Sequence, residues 1–256
     1  PASRPIPEVP EPASAAPLAL AVELFALGLV DDGLGELSEL AASPRARPAA
    51  ALLAQLAAFA GDAELPFRMA RDHLGPTRRA LRWSHPEPYP ELVAPAAAVG
   101  LDPSLARAVM RRESSFRRVI RSSAGAEGLL QLRPATAERV ASLLQLPPGV
   151  GARLGEPAVN LPLGIHYLGL LLSRFEHPAV ALAGYNAGPG PAAEWARART
   201  GMPLDEWVEC VPYRETRQYL KIVLADWDVY RDLHGDPAAP IAPGHLVPKP
   251  GPGVAF

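Results

Sequence analysis

Only one of the 256 residues is a cysteine, Cys210, so no disulfide can form within the chain and the redox compartment stays open. As a lone thiol it is expected to be a small buried apolar group. No apolar run approaches the roughly 20 residues of a membrane-spanning helix. The nearest, Leu161–Leu172, is short and broken by Pro162 and His166, so no membrane span is expected. An excess of one charge is missing as well. With 25 Lys+Arg against 27 Asp+Glu, the formal net charge is −2, and no dominant basic field invites nucleic acid as the main partner. The 6 histidines form no HExxH pair or other paired-ligand spacing, and no phosphate-cradling glycine loop occurs. Neither a metal nor a cofactor is expected. Alternating strand patterns of useful length are absent, leaving at most a small ribbon around Gly128–Leu132 in a mainly α fold. The chain opens on Pro1 rather than Met, as expected of a processed or trimmed polypeptide, so the lack of a leader says nothing about export.

What is present is proline and alanine. Residues 1–17 hold six prolines and read as an extended linker, and 236–256 repeat the pattern as a Pro/Gly-rich tail. Between them, 18–82 carries short Ala-rich amphipathic stretches separated by DDG, SPR and GD breakers. This region is expected to be a set of helical hairpins serving as scaffold. In 83–235 the helical patterns lengthen: Tyr89–Val99, Pro103–Phe116, Pro134–Leu146, Leu161–Phe175, Pro178–Tyr185 and Tyr213–Leu233. In the last of these, Tyr213, Thr216, Leu220, Val223, Trp227 and Tyr230 trace one apolar face. Asn160 is placed to cap the 161–175 helix.

One acid stands out. Asp102 can cap a helix and Pro103 suits its first position, where the missing N–H is not needed. Leu105, Val109 and Phe116 then recur at helical spacing, and Glu113 falls on their face. A carboxylate facing a core is costly unless it is paired, protonated or in a cleft. The residues alone leave two readings open: a site carboxyl, or a solvated glutamate in a frayed last turn beside Arg111 and Arg112.

Four motifs follow in order over roughly 110 residues. They are Arg112-Glu113-Ser114-Ser115-Phe116; Gly125-Ala126-Glu127-Gly128-Leu129-Leu130-Gln131-Leu132 running into Arg133-Pro134; Asn160, Gly164 and Tyr167 leading to Ala183-Gly184-Tyr185-Asn186-Ala187-Gly188; and Pro212-Tyr213-Arg214-Glu215-Thr216-Arg217-Gln218-Tyr219. As an ordered set over about 89–231 they resemble the catalytic domain of the soluble lytic transglycosylases, which cleave peptidoglycan glycan strands. The resemblance implies a lysozyme-like fold, with 18–82 similar to the end of a helical superhelix. It implies a single catalytic glutamate, Glu113, acting as acid and then as base to leave a 1,6-anhydro end on N-acetylmuramic acid.

By the same resemblance Ser114 orients the carboxyl or the sugar, Leu130 and Gln131 line the glycan groove, and Tyr185 and Asn186 stand at the cleft. Glu215 matches a supporting glutamate, and an N-terminal helix charge explains it equally well. Tyr167 fits either core or groove, while Arg217 and Tyr219 read as structural. Arg133 stands where the family usually has an apolar residue and Leu130 where it has methionine. Glu127 would favour hydrolysis if it reached Glu113. The tryptophans 83, 195, 207 and 227 read as core. Two alternatives remain, a hydrolytic muramidase and a non-catalytic peptidoglycan-binding module. The implied substrate sets an expected periplasmic or cell-envelope location.

Overall fold

Helices account for every regular element that the computed structural model describes, over residues 16–43 and 46–234. The proline-rich stretches at 1–17 and 236–256 lie outside these residues, apart from Ala16 and Pro17, with which the first helix opens. The chain divides into two compact units, 1–88 and 89–256.

In the first unit, α1 (Ala16–Ala26) pairs with α2 (Val30–Ala41), α3 (Ala46–Phe59) pairs with α4 (Glu64–His73), and α5 (Arg78–Ser84) packs on α4. Sequence spacing explains the pairing. Leu37, Leu40 and Ala41 of α2 and Ala50, Leu53, Ala54, Leu56 and Ala57 of α3 recur three and four apart, and all are buried in one cluster with Leu18, Leu65 and Met69. Alanine lets the helices approach closely. At Gly33 they approach closely enough that a Cβ would stand 2.5 Å from the Phe25 ring.

The second unit is built on α7 (Pro103–Ser114) and α13 (Arg214–His234), with α6 (Pro90–Val93) and a 3-10 turn at Ala94–Val99 leading in. α7 starts as the sequence suggests: Pro103 takes the first turn and the Asp102 carboxylate accepts from the Ser104 N–H at 2.8 Å. The other oxygen of Asp102 accepts from Trp227 Nε1 at 2.7 Å, and Arg111 pairs with Asp226, so both ends of α7 are tied to α13. The Arg111–Asp226 pair is mostly shielded from water, where removing one partner costs more than at an open surface.

α7 is two residues shorter than its apolar spacing implies. Ser115 and Phe116 have φ of 52° and 68°, in the left-handed region, and so cannot continue it. The buried Ser114 hydroxyl makes this stop possible, donating to the Met110 carbonyl and accepting from the Phe116 N–H, each at 3.0 Å. Phe116 is buried as expected, but from the turn beyond the helix.

The expected small ribbon is reduced to isolated bridges joining Glu127 to Arg121 and to Leu132, within a loop between α7 and α8 (Pro134–Leu143). α9 (Pro157–Phe175) begins earlier than expected, with Glu156 at its N-cap, so Asn160 lies inside the helix and does not cap it. Its side chain is fully buried and holds the loop instead. Nδ2 donates to the carbonyls of Glu127 (2.9 Å) and Leu154 (3.0 Å), and Oδ1 accepts from the Leu130 N–H at 2.8 Å. Gly128 must be glycine to fit there: its φ is +77°, and a Cβ would stand 2.1 Å from the Leu154 carbonyl oxygen and 2.4 Å from Asn160 Nδ2.

α10 (Pro178–Ala187) is followed by α11 (Pro189–Ala198) and α12 (Leu204–Glu209), two helices that the spacing did not reveal. Trp195, Trp207 and Trp227 are buried as expected, and Trp83 in the first unit is half-buried. Cys210 departs from expectation: it caps the C-terminus of α12 and is exposed.

Asn160→Ala leaves a buried N–H and two carbonyls without partners, each costing about 1–3 kcal/mol. Urea unfolding of the second unit is therefore expected to show a loss of about 3 kcal/mol. A loss under about 1 kcal/mol would mean that the loop is held by something else.

Candidate active site

Glu113 ends up in the last turn of α7, half-buried, just before the chain reverses. Burial pushes its carboxyl from the ordinary carboxylate range up to about 7, and the negative charge of Glu215 pushes in the same direction. The Tyr219 hydroxyl and the Arg112 cation oppose the rise without cancelling it. The groups that act on the acid are thus the Tyr219 hydroxyl, the Arg112 cation and the Glu215 anion.

Two tyrosines, one half-buried and one buried, carry its influence. Tyr185, on α10, donates to the Leu130 carbonyl at 2.6 Å, and its own pKa is raised first by burial and then by the charge of Glu113. Tyr219, on α13, is buried to 2% exposure, and burial followed by Glu113 raises its pKa too. Its hydroxyl makes no hydrogen bond within 3.5 Å among the described residues, yet it lies close enough to Glu113 to lower that carboxyl's pKa. The hydroxyl is therefore placed beside the acid as a group able to donate to it. Reading Tyr219 as structural from sequence overlooked this. The only available signal was its place one turn after Glu215 on the buried face of α13.

A cleft of about 440 Å³ opens next to this group. Gln131, Leu132, Arg133, Tyr167, Tyr185 and Asn186 are among its walls, while Glu113 itself is not. Gln131 sits at φ 45°, and its side-chain amide steadies that strained turn by donating to the carbonyls of Gly128 (2.9 Å) and Ile120 (3.3 Å). Tyr167 is buried and packs on Tyr185, with ring centroids 5.3 Å apart. Asn186 accepts from the Thr216 hydroxyl at 2.7 Å, which links α10 to the start of α13.

The remaining sequence-predicted residues are placed differently. Both hydrogen bonds of the Ser114 hydroxyl are spent on the helix stop, and the residue is buried, so it shapes the turn behind the acid without facing the cleft. Leu130 is also buried: its Cδ1 fills the space above Gly164, where a Cβ would be only 2.5 Å away. Its backbone does the connecting work, with the N–H held by Asn160 and the carbonyl by Tyr185. Glu215 is exposed and acts on Glu113 through charge. Glu127 is drawn away to Arg121 at 3.5 Å and is absent from the charges felt by Glu113.

The arrangement supports proton transfer: one carboxyl that titrates near pH 7, on α7, beside a cleft with amide and phenol groups. Among the described residues no group of three or more His, Cys, Asp or Glu is placed to hold a metal ion. Nor is any helix among them long and apolar enough to cross a membrane.

Known proteins resemble this chain in sequence and fold. Residues 93–207 match the family model described as Transglycosylase SLT domain. The soluble lytic murein transglycosylase of Salmonella typhimurium is 36% identical over 139 residues, which is 53% of this chain and 22% of that protein. Its Escherichia coli counterpart is 35% identical, over 52% of this chain and 21% of that one. Among solved structures, an inactive glutamate-to-glutamine mutant of the Pseudomonas aeruginosa lytic transglycosylase Slt superposes with a TM-score of 0.69 at 31% identity, covering 89% of this chain and 37% of that one. The 70 kDa soluble lytic transglycosylase in complex with bulgecin A gives 0.73 at 26%, covering 90% and 38%. The chain therefore spans about a fifth of the curated relatives' length and under two-fifths of the solved chains.

The raised carboxyl has a consequence for stability. In the unfolded chain Glu113 ionises around pH 4.5, and in the folded chain around 7. Folding therefore loses stability through this group as pH rises from about 4.5 to 7, and the penalty stays constant above that. Glu113→Gln, which cannot ionise, is expected to raise the melting temperature at pH 8 and to change it little at pH 4. Thermal melts of both proteins at the two pH values check this, and an equal change at both would contradict it.

Proposed function

We propose that this chain, whose residues 93–207 belong to the transglycosylase SLT domain family, is the catalytic part of a lytic transglycosylase. In this reading it cleaves the β-1,4 bond between N-acetylmuramic acid and N-acetylglucosamine in peptidoglycan and leaves a 1,6-anhydro end. The observation that carries the reading is the Glu113 carboxyl, kept neutral up to about pH 7 beside a polar-rimmed cleft. An acid with that pKa can protonate a leaving oxygen at neutral pH and remain basic enough to take a proton back.

The steps balance without water. Glu113 gives its proton to the glycosidic oxygen, the bond from C1 to that oxygen breaks, and N-acetylglucosamine leaves as an alcohol. The substrate's own acetamido oxygen supports C1. The C6 hydroxyl oxygen then attacks C1 while its proton passes to the Glu113 carboxylate, which restores the acid. A substrate that assists in this way removes the need for a second carboxylate.

Other groups act around these steps. The Tyr219 hydroxyl is a positioning residue: it can donate to Glu113 once the carboxylate forms, easing the first proton transfer. Tyr185 anchors the Leu130 carbonyl and closes the wall behind the acid. Gln131 offers its amide oxygen and Asn186 its amide N–H groups to sugar hydroxyls or acetamido groups, and Tyr167 backs the same wall. Ser114 and Leu130 serve through the backbone they fix. The first unit serves as a helical-hairpin scaffold. A peptidoglycan substrate sets the place of action in the periplasm or cell envelope.

A second reading, hydrolysis, draws on the charge of Glu215 reaching Glu113, since a second carboxylate could activate water. Products separate the two. Mass spectrometry of digested peptidoglycan is expected to find anhydro-muropeptides; reducing ends would mean a muramidase. Glu113→Gln is expected to lower turnover by about a thousandfold, and equal turnover of variant and wild type would remove the enzyme reading altogether. Since the acid must hold its proton, the rate is expected to fall as pH rises through about 7. Tyr219→Phe should move that fall to higher pH and Glu215→Gln to lower pH. A fall at one fixed pH in all three proteins would show that another group sets it.

A further inference from the structure

Val119 is 90% exposed, more than any other large apolar side chain among the described residues. It stands in a bend just after the stop of α7, with Arg117 and Arg118 before it and Arg121 after it, all three exposed. From 114 to 126 the chain has no Asp or Glu. Glu127 reaches Arg121 at 3.5 Å and offsets part of one charge, which leaves a surplus of positive charge around one bare apolar group. The chain as a whole is formally −2, so this surplus is local.

The bend is braced on both sides. Before it, Phe116 is buried and the Arg117 Nε donates to the Ser114 carbonyl at 3.1 Å. After it, the Ile120 carbonyl accepts from the Gly128 N–H at 3.0 Å and from the Gln131 amide at 3.3 Å. Val119 is therefore held outward by a fixed backbone rather than left bare by a loose one.

A lone exposed valine or a solvated arginine is ordinary surface. Together they match what an anionic lipid surface takes up, with guanidinium groups at the headgroup phosphates and an apolar side chain pressed beneath them. We infer that the 117–121 bend seats on an anionic lipid bilayer, with Val119 entering the interface and Arg117, Arg118 and Arg121 on headgroup phosphates. The shape selects this partner. A bend of five residues is far short of the roughly 800 Å² a side of a stable protein interface. A soluble polyanion would use the arginines but gain nothing from Val119. The contact is peripheral and reversible, since three cations and one valine do not make an anchor. Because the Ile120 carbonyl is bonded to Gln131, a wall of the cleft, seating the bend keeps the cleft close to the bilayer. The inference goes beyond the reaction proposed above and is read without turnover.

Co-sedimentation of the whole chain with vesicles tests it. Phosphatidylcholine vesicles with about 40% phosphatidylglycerol are expected to bind about half the protein at roughly 1 mM accessible lipid and about 50 mM salt, and pure phosphatidylcholine almost none. Raising the salt to about 300 mM is expected to release most of it. Arg118→Gln is expected to weaken partitioning about fivefold, and Val119→Ser to weaken it about fivefold with the charge unchanged. Arg78→Gln combined with Arg197→Gln, which removes two exposed arginines elsewhere, is expected to change it by less than about twofold. No binding by wild type, equal binding to neutral vesicles, or an equal loss in the control pair would each overturn the inference. So would Val119→Ser binding as tightly as wild type, or losing as much affinity for dextran sulfate, a soluble polyanion, as for vesicles. A melting temperature for each variant within about two degrees of wild type shows that the surface, and not the fold, was altered.

Discussion

A carboxyl group withdrawn from water keeps its proton, and the second unit is arranged so that Glu113 is withdrawn and nothing nearby neutralises the effect. Burial supplies the larger push, the charge of Glu215 adds to it, and Arg112 and Tyr219 only moderate it. The position of the group is fixed first by the stop of α7. Ser114 turns the chain through two left-handed residues directly after the acid, so the carboxyl cannot move away along a fraying helix end. Strain in that turn costs about 1–3 kcal/mol per residue. It persists because Asp102–Trp227 and Arg111–Asp226 tie α7 to α13.

From that fixed point a chain of hydrogen bonds runs out to the cleft. Asn160 holds the Leu130 N–H, the Leu130 carbonyl holds the Tyr185 hydroxyl, and Tyr185 senses Glu113. On the other side, Thr216 and Asn186 join α13 to α10 close to Glu215. Each link is buried or partly buried, where an unmade bond is costly, so the loop, the two tyrosines and the acid hold one arrangement. The cleft takes its walls from the end of that loop (131–133), the first turns of α8, Tyr167 of α9, the end of α10 and the start of α11. The acid and the cleft wall in front of it are thereby built on one scaffold.

Local signals in the sequence were reliable wherever the structure is local. Asp102 and Pro103 announced the start of α7, and the apolar face of α13 could be read from Thr216 through Leu220, Val223 and Trp227 to Tyr230, whereas Tyr213 lies before the helix and is exposed. Glu113 was conspicuous because a carboxylate on an apolar face is expensive, and the ordered motifs then linked it to Gln131, Tyr185 and Asn186. What escaped depended on partners distant in sequence. Asn160 looks the same whether it caps a helix or is buried inside one; only the loop 30 residues earlier distinguishes the two. Tyr219 gains its meaning from the packing of α13 on α7. Phe116 kept the helical spacing while leaving the helix, since the Ser114 hydroxyl allowed a turn that spacing alone cannot predict. α11 and α12 are short, and proline at the start of α11 reads equally well as a break.

The central claim is that Glu113 still holds its proton about half the time at neutral pH because of where α7 ends. Its direct measurement is an NMR titration of carboxyl-labelled glutamate, with the Glu113 signal assigned by its loss in Glu113→Gln. The account predicts a midpoint near 7, moving upward in Tyr219→Phe. A midpoint near 4.5, the value of an ordinary exposed glutamate, would contradict it.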